Sequence, residues 1–376
     1  MKKSIKIVGF YDLLDSDSER VSSHAAVNKI NYVAHSLNEI GYHVHILSPS
    51  WLKNNSNYRI KKGNTYKISD FLSVSFPTSW KTRNRIALFL KISYSMIWLF
   101  LVLLLKTKKY EKVLIYHVPW ISVPVRLSKF FKKYSVILEV EEIYQDVTNT
   151  SERFKRWENK LLKSADKYIF STDLLRNKIN RNVDSLILYG EYKEYEVLST
   201  PLKDGKIHLL YAGIIDDVKK GAFFAIDAAK FLDDKYVLHI IGFGDVEKII
   251  NIISDHNKKF KCKIFFDGLK SGREYIEYCQ KCHIGLSTQS NEGKYLESSF
   301  PSKILSYLSL GLKVVSADIE CVKRSSISQE IEYYSDNTGE AISKAIKNVD
   351  ISTKKRNIVN LLHANLLEDL VNFLDK

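Results

Sequence analysis

Residues 298–316 read SSFPSKILSYLSLGLKVVS: a polar turn, a short helix opening at Phe300-Pro301-Ser302-Lys303, and a buried strand. Proline is tolerated in a first helical turn because the N–H it lacks would have no intrahelical partner there, and Ser299 is the expected N-cap. Ile304, Leu305, Leu308 and Leu310 supply the apolar stripe. Gly311 stands where a helix ends in a left-handed residue, and Lys313-Val314-Val315-Ser316 follows as a strand. A helix start carrying a hydroxyl and a lysine suits an anion. Its free N–H groups and macrodipole favour phosphate, and Ser302 and Lys303 add a hydrogen bond and a charge. The same residues also suit an ordinary helix–strand unit whose first turn happens to hold a lysine.

Upstream, the same alternation of strand and helix predicts an α/β chain. Ile5 to Phe10 reads as a buried parallel strand. Ser22 or Ser23 then caps a helix through Val27, Ile30, Val33, Leu37 and Ile40, ended by Gly41, and His43 to Leu47 is the next strand. This is the opening of a doubly wound sheet, whose ligands bind beyond the carboxyl ends of strands. Val113 to His117 and Val136 to Val140 are further strands around a helix near Val123 to Phe131. His117 and the pair Glu141-Glu142 therefore sit at strand ends and are candidate catalytic residues of this domain. Equally, His117 suits a satisfied core imidazole and the glutamates a solvated helix start. Asp12, Asp15, Ser22, Ser23 and His24, in the first loop, are polar candidates of the same kind.

Residues 190–204, GEYKEYEVLSTPLKD, read as a linker, giving an N-terminal domain over 1–190 and a second over 205–350. The second begins afresh with the strand Ile207 to Gly213 and continues with strands Val237 to Ile241, Lys263 to Phe266 and Ile284 to Ser287. After the second of these, Gly242-Phe243-Gly244 hints at a dinucleotide loop. Glu247 stands at the third glycine position, so that fingerprint fails. Residues 351–376 end in one amphipathic helix.

A chain of 376 residues is long enough for two cores, and its 45% hydrophobic and 27% charged residues are a globular composition. The formal charge of +14, from 57 basic and 43 acidic residues, points to an anionic partner: nucleic acid, a membrane face or an anionic substrate. There is no zinc-finger spacing and no RNA-binding aromatic motif, so nucleic acid is not the expected partner. Cys279 and Cys282 form a CxxC within a helical pattern, without a second CxxC or a His-rich partner, and read as a reduced structural pair. The first residues read as a strand rather than a signal peptide, so the expected location is the cytoplasm. Residues 81–112 hold an apolar run, Ile92 to Leu105, between Lys91 and Lys106, shorter than the roughly 20 residues a spanning helix needs. It reads either as a helix buried against the sheet or as one lying in a membrane interface, with the flanking lysines and arginines on anionic headgroups.

The opening stretch resembles the donor-binding segment of GT-B glycosyltransferases of the large family-4 or group-1 type, in which E-G-F-P-x-x-x-L-E-x-x-x-x-G precedes a valine-rich strand. Phe300, Pro301, Leu305 and Gly311 fall in frame, while Ser298 and Ser306 stand at the two glutamates. The variant F-P-S-K-I-x-x-Y-L-x-x-G of bacterial polysaccharide glycosyltransferases fits closely. The resemblance implies two Rossmann-like domains facing each other across a cleft, with a C-terminal helix crossing back to the first. It implies transfer of a sugar from a nucleoside-diphosphate donor, UDP-linked, to a lipid-linked or polysaccharide acceptor in cell-surface polysaccharide synthesis, with retention and without a metal or other cofactor. Its Y-x-G-R…K-G pattern maps to Gly213, with Ile214 in place of the arginine, and to Lys219, Lys220 and Gly221. Those lysines, Ser302 and Lys303 are then expected at the diphosphate, Gly242 and Gly244 near the nucleotide, Glu297 or Ser306 at the ribose, and Phe300 and Pro301 as a wall. The missing arginine and glutamates leave an alternative: a GT-B-shaped partner that anchors or activates another enzyme. Either protein is expected peripherally on the inner face of the plasma membrane.

Overall fold

The computed structural model describes residues 3–13, 19–147, 150–179, 181–218, 220–290, 296, 299–352 and 358–375. The chain divides into two units, Met1–Glu191 with Asn365–Lys376, and Tyr192–Ala364.

In the first unit the order is β1 (Lys3–Val8), α1 (His24–Glu39), β2 (Tyr42–Leu47), β3 (Ile60–Lys61), β4 (Asn64–Lys67), β5 (Leu72–Phe76), β6 (Ser79–Trp80), α2 (Arg85–Lys106), β7 (Lys112–Tyr116), α3 (Ser122–Lys132), β8 (Ser135–Val140), α4 (Tyr144–Val147), α5 (Glu152–Ser164), β9 (Lys167–Phe170), α6 (Asp173–Ile179) and β10 (Ser185–Ile187). Eight strands form one sheet in the order β10-β9-β8-β7-β1-β2-β5-β4, parallel except for the hairpin between β4 and β5. The chain leaves β1 for β2 on one side and later returns to β7 on the other, which makes a switch point between β1 and β7. The local signals behave as their chemistry dictates. Ser23 Oγ accepts the Ala26 N–H at 3.1 Å and so caps α1, and Gly41 ends it with φ of +89°.

The segment around residues 92–105 is one helix, longer than its apolar run suggests because Ile86 to Leu90 and Lys91 belong to it as well. Of its 22 residues only Lys91, Ser95, Leu99 and Leu103 are buried, four apart and therefore on one stripe. Leu99 and Leu103 join the core formed with Ile115, Val125 and Leu138, and Lys91 Nζ donates to the Leu52 carbonyl at 2.9 Å. The helix is therefore anchored by one buried stripe, flanked by the half-buried Ile92, Met96, Trp98 and Val102, and its opposite face is exposed.

The second unit runs β11 (Ile207–Ile215), α7 (Gly221–Ala229), β12 (Tyr236–Gly244), α8 (Val246–Lys259), β13 (Lys263–Phe266), α9 (Gly272–Gln280), β14 (Ile284–Ser287), α10 (Ser302–Ser309), β15 (Lys313–Ala317), α11 (Glu320–Lys323), β16 (Ile331–Tyr334) and α12 (Gly339–Asn348), and α13 (Ile358–Asp375) follows. Its six strands pair in parallel in the order β13-β12-β11-β14-β15-β16. β11 is central, with β12 on one side and β14 on the other, so the switch point lies between β11 and β14. The last helix was expected from residue 351; Ile351 and Ser352 are not helical, and residues 353–357 lie outside the described residues. The end of α13 belongs to the first unit: Lys167 Nζ donates to the Phe373 carbonyl at 2.6 Å, and Lys3 Nζ lies 3.3 Å from Asp375 Oδ1.

The four cysteines are free and buried. Burial pushes the Cys279 thiol up to about 12 and raises that of Cys282 as well, so both are inert structural thiols.

Candidate functional site

The carboxyl ends of β11 and β14 open into a cavity of about 390 Å³, closed on one side by the start of α10. Open α/β sheets bind ligands at such a switch point. Tyr211 to Ile214, Asp216, Ser287 to Gln289 and Ser299 to Lys303 line it.

Lys303 is aimed by a missing side chain and a ring. A Cβ on Gly213, whose φ is +153°, would lie 2.6 Å from Lys303 Nζ, so only glycine lets the lysine cross the end of β11. The ammonium then rests 3.8 Å from the centre of the Tyr211 ring, where the ring's electron-rich face attracts it. Tyr211 is itself fixed. Its hydroxyl donates to the Ile214 carbonyl at 2.9 Å and accepts the Ala222 N–H. Thr288 Oγ1 donates to the Gly221 carbonyl at 2.7 Å, which ties the first turn of α7 to the end of β14.

The fully buried Tyr307 holds α10 in place by accepting the Ala212 N–H at 2.9 Å. Burial raises its pKa far above the ordinary phenol value, so it stays neutral. Its ring occupies the space a side chain on Gly285 would need. Pro301, extended at φ −67° and ψ 100°, is the N-cap position of α10, and no side chain caps the helix. Ser299 is thus not the cap, because the extended proline delays the first helical turn to Ser302. The Ile304 N–H turns back to the Pro301 carbonyl at 3.1 Å, and the helix start presents the positive end of its dipole, which attracts anions, beside Lys303.

Five of the residues expected at the donor therefore meet in one cavity: Gly213, Phe300, Pro301, Ser302 and Lys303. Ser306 is turned to its own helix, its hydroxyl donating to the Ser302 carbonyl at 3.2 Å. Gly221 lies behind Tyr211 rather than in the lining. Lys220 adopts a left-handed conformation (φ 55°) at the exposed start of α7, outside the lining. Lys219 and Glu297, together with Ser298, Asn291 and Glu292, lie outside the described residues. Gly242-Phe243-Gly244 is not a loop but the end of β12, where Gly242 pairs with Gly213 and Gly244 with Ile215. A Cβ at either glycine would strike the facing carbonyl oxygen of β11, so both serve the approach of two strands. Gly242 also lines a second cavity, of about 150 Å³, with Ala212, Gly213 and Lys270, whereas Gly244 lines neither. Ile214, in the place of the arginine, lines the larger cavity, and Lys303 is the one cation among the described lining residues. Thr288 escaped sequence reasoning, and Tyr211 and Tyr307, the tyrosines of the Y-x-G-R and F-P-S-K-I-x-x-Y patterns, were assigned no role. The isolated Gly285 in a strand was the signal for Tyr307, since such a glycine marks a close neighbour.

In the first unit, His117 is sealed in. Its Nδ1 lies 3.2 Å from the Glu142 carbonyl and its Nε2 3.6 Å from Glu158 Oε1, and burial lowers its pKa to about 4. Glu158, also buried, accepts the Tyr144 and Gln145 N–H groups at 2.7 and 3.2 Å. His117 is a buried imidazole whose Nε2 has no hydrogen-bond partner, beside the carboxylate that caps α4, and this burial speaks for a structural place rather than the expected catalytic one. Glu142 fixes that core through its carbonyl.

Glu141 stays partly accessible and lies 2.8 Å from Lys29 Nζ, which also approaches the buried Glu139 at 3.8 Å. Burial raises the pKa of Glu139, Lys29 opposing and Glu141 adding to the shift. The backbone at Leu188 accepts a further bond from Lys29 at 3.2 Å. Glu139 is the carboxylate that the sequence hides inside an apolar strand. Asp12 is buried and folded onto its own loop, accepting the Leu13 N–H at 3.0 Å and the Arg20 N–H at 2.6 Å. Ser23 is spent on its cap, Ser22 and His24 lie at the start of α1, and Asp15 lies outside the described residues. Among the described residues, no three His, Cys, Asp or Glu side chains are grouped to hold a metal ion.

No family model matches the sequence, and no curated protein matches it. Solved structures do match over essentially the whole chain. A sucrose-phosphate synthase from Thermosynechococcus elongatus has a TM-score of 0.64 at 13% identity, covering 99% of this chain and 100% of that one. A UDP-forming α,α-trehalose-phosphate synthase from Burkholderia xenovorans has a TM-score of 0.67 at 9% identity, covering 100% and 99%. An Escherichia coli trehalose-6-phosphate structure bound with UDP-2-fluoro glucose has a TM-score of 0.63 at 10% identity, covering 99% and 96%. At such identities the likeness speaks for architecture: the chain has the two-unit α/β fold of the GT-B glycosyltransferases.

Proposed function

We propose that the protein is a glycosyltransferase that moves a sugar from a UDP-linked donor to a lipid-linked or polysaccharide acceptor of a cell-surface glycan. The observation that carries the proposal is Lys303, extended from the uncapped start of α10 across Gly213 at the switch point of the second sheet. When the bond from sugar to phosphate breaks, negative charge grows on the leaving diphosphate. A fixed ammonium and the positive end of a helix dipole stabilise that charge without having to reorganise. Phe300 and Pro301 form a wall of the same cavity. Glu141, at the end of β8, is the group we assign to the acceptor hydroxyl.

Uridine is chosen because the structural neighbours include a UDP-forming synthase and a complex with a UDP-sugar. Such neighbours favour a sugar phosphate as acceptor, whereas the Phe300-Pro301-Ser302-Lys303 run favours a surface polysaccharide. Calorimetry with UDP tests the donor site first, and saturation at about 100 times the dissociation constant should stabilise the protein by roughly 2.7 kcal/mol. A protein that ignores UDP and the other nucleoside diphosphates is not a nucleotide-sugar enzyme. Labelled UDP-sugars offered with sugar phosphates and with polyprenyl-diphosphate sugars then identify the acceptor. UDP binding without transfer to any of them would leave the anchoring partner as the reading.

A further inference from the structure

Helix α2 is built inside out. Its buried stripe carries a lysine and a serine, Lys91 and Ser95, beside Leu99 and Leu103, while the stripe facing away is Ile86, Leu90, Tyr94, Ile97, Leu101 and Leu105, all exposed. In a helix that merely covers a sheet in water the polar residues face outward. The residue most exposed to solvent here, Leu105 at 74%, should have been among the best buried.

Helix α3 packs beside α2 on the same core and repeats the pattern. Pro124, Val125 and Ser128 face inward, and Val123, Leu127 and Phe130 face outward, with Phe130 75% and the neighbouring Phe131 62% exposed. On two helices packed together, these outward stripes add up to more exposed apolar surface than scattered hydrophobic residues explain.

The rim of this surface is basic. Residues 81–138 hold 12 lysines and arginines and a single acidic residue, Glu111. Glu111 is already paired with Lys6, and Lys129 with Asp166 at 2.6 Å. Arg83 and Arg85 stand at one end of α2, and Lys106, Lys108 and Lys109 at the other. Alongside α3, a cavity of about 800 Å³ has an apolar floor of Val123, Leu127 and Phe130 and basic flanks in Arg126 and Lys133.

We propose that α2 and α3 form a docking face for an anionic lipid bilayer. The apolar stripes enter the boundary between headgroups and acyl chains, and the basic rim meets the phosphates. This is the arrangement of an interfacial helix pair rather than of a spanning one, since the inner stripe of α2 is committed to the core of the unit. A second copy of the chain is a poor occupant, because two such faces would bring two basic rims together. The inference stands independently of the donor site.

The test uses the full chain and sedimentation with vesicles of phosphatidylcholine alone or with about one third phosphatidylglycerol. The parent protein should sediment with the anionic vesicles, lose that binding at high salt, and stay in the supernatant when the vesicles are neutral. Lys108→Gln with Lys109→Gln should weaken partitioning by roughly five-fold per charge removed. Ile97→Ser with Leu101→Ser and Phe130→Ser should weaken it at least as much. All of these positions are exposed, and circular dichroism checks each fold. Should the serine variant misfold, the glutamine variant carries the test alone. Equal partitioning onto neutral vesicles, parental binding by folded variants, or a dimer that ignores both kinds of vesicle overturns the proposal.

Discussion

At the level of single residues, the second unit's cavity depends on one ammonium and the glycine beneath it. Lys303→Ala removes the only charged donor among the described lining residues. A hydrogen bond to a charged group is worth about 1.5–3 kcal/mol, so UDP affinity should fall roughly ten- to a hundred-fold while uridine affinity stays the same. Calorimetry with both ligands checks this, and equal losses would remove Lys303 from the diphosphate. His117 allows a prediction of another kind. Its folded pKa, lowered to about 4 by burial, lies below the ordinary 6.5. Between those values the unfolded chain binds the extra proton and the folded chain does not, so stability falls as pH drops from about 6.5 to 4. The full loss is on the order of 3 kcal/mol. Denaturant titrations of the parent and of His117→Asn should show a smaller acid-side loss in the variant, even though it starts less stable. An unchanged pH dependence would mean that His117 is protonated in the fold.

For the elements, the question is what positions α10. Tyr307→Phe keeps the ring against Gly285 and deletes only the acceptor of the Ala212 N–H. A buried donor left without a partner costs about 1–3 kcal/mol, so the variant should unfold at lower denaturant. Because α10 carries Lys303, its UDP affinity should fall as well, by less than in Lys303→Ala. A destabilised variant with parental UDP affinity would show that the bond holds the core but does not aim the lysine. Where sequence reading of elements worked and where it failed has one cause. Helix limits such as Ser23 and Gly41, and strands such as β8 and β15, are written in adjacent residues and were legible. β11 and β12 both extend past the glycines that seemed to end them, because Gly213 and Gly242 face each other across the pair. A local reading sees a turn former, whereas the fold uses the missing side chain to bring two strands together. For α2, composition revealed the apolar run but not which of its stripes is anchored. The phase became visible only when Leu99 and Leu103 were found in the core.

At the scale of the whole molecule, two doubly wound sheets were readable from the alternation of strands and helices, and part of the lining of the switch-point cavity from one motif. The chemistry expected in the first unit was less readable, since a strand end does not reveal whether its side chains face solvent or core. His117 proved to be inside, and Glu139, hidden in an apolar strand, proved to be half of a charged cluster with Lys29 and Glu141. That cluster shapes the last prediction. Glu141→Gln removes a carboxylate 2.8 Å from a buried lysine, which alone would strand the lysine's charge. It also removes the like charge that helps keep the neighbouring Glu139 protonated, so Glu139 should ionise more readily and take over as the partner of Lys29. The variant should therefore fold, with a stability loss smaller than the several kcal/mol of a broken buried pair. UDP affinity, a property of the second unit, should not change. If Glu141 accepts the proton of the acceptor hydroxyl, sugar transfer should fall by roughly 100- to 10,000-fold, and Glu139→Gln should lower it far less because that carboxyl is buried. Parental transfer by a folded Glu141→Gln protein would mean that Glu141 serves only to neutralise Lys29. Loss of UDP affinity in the same variant would contradict the assignment of the donor site to the second unit.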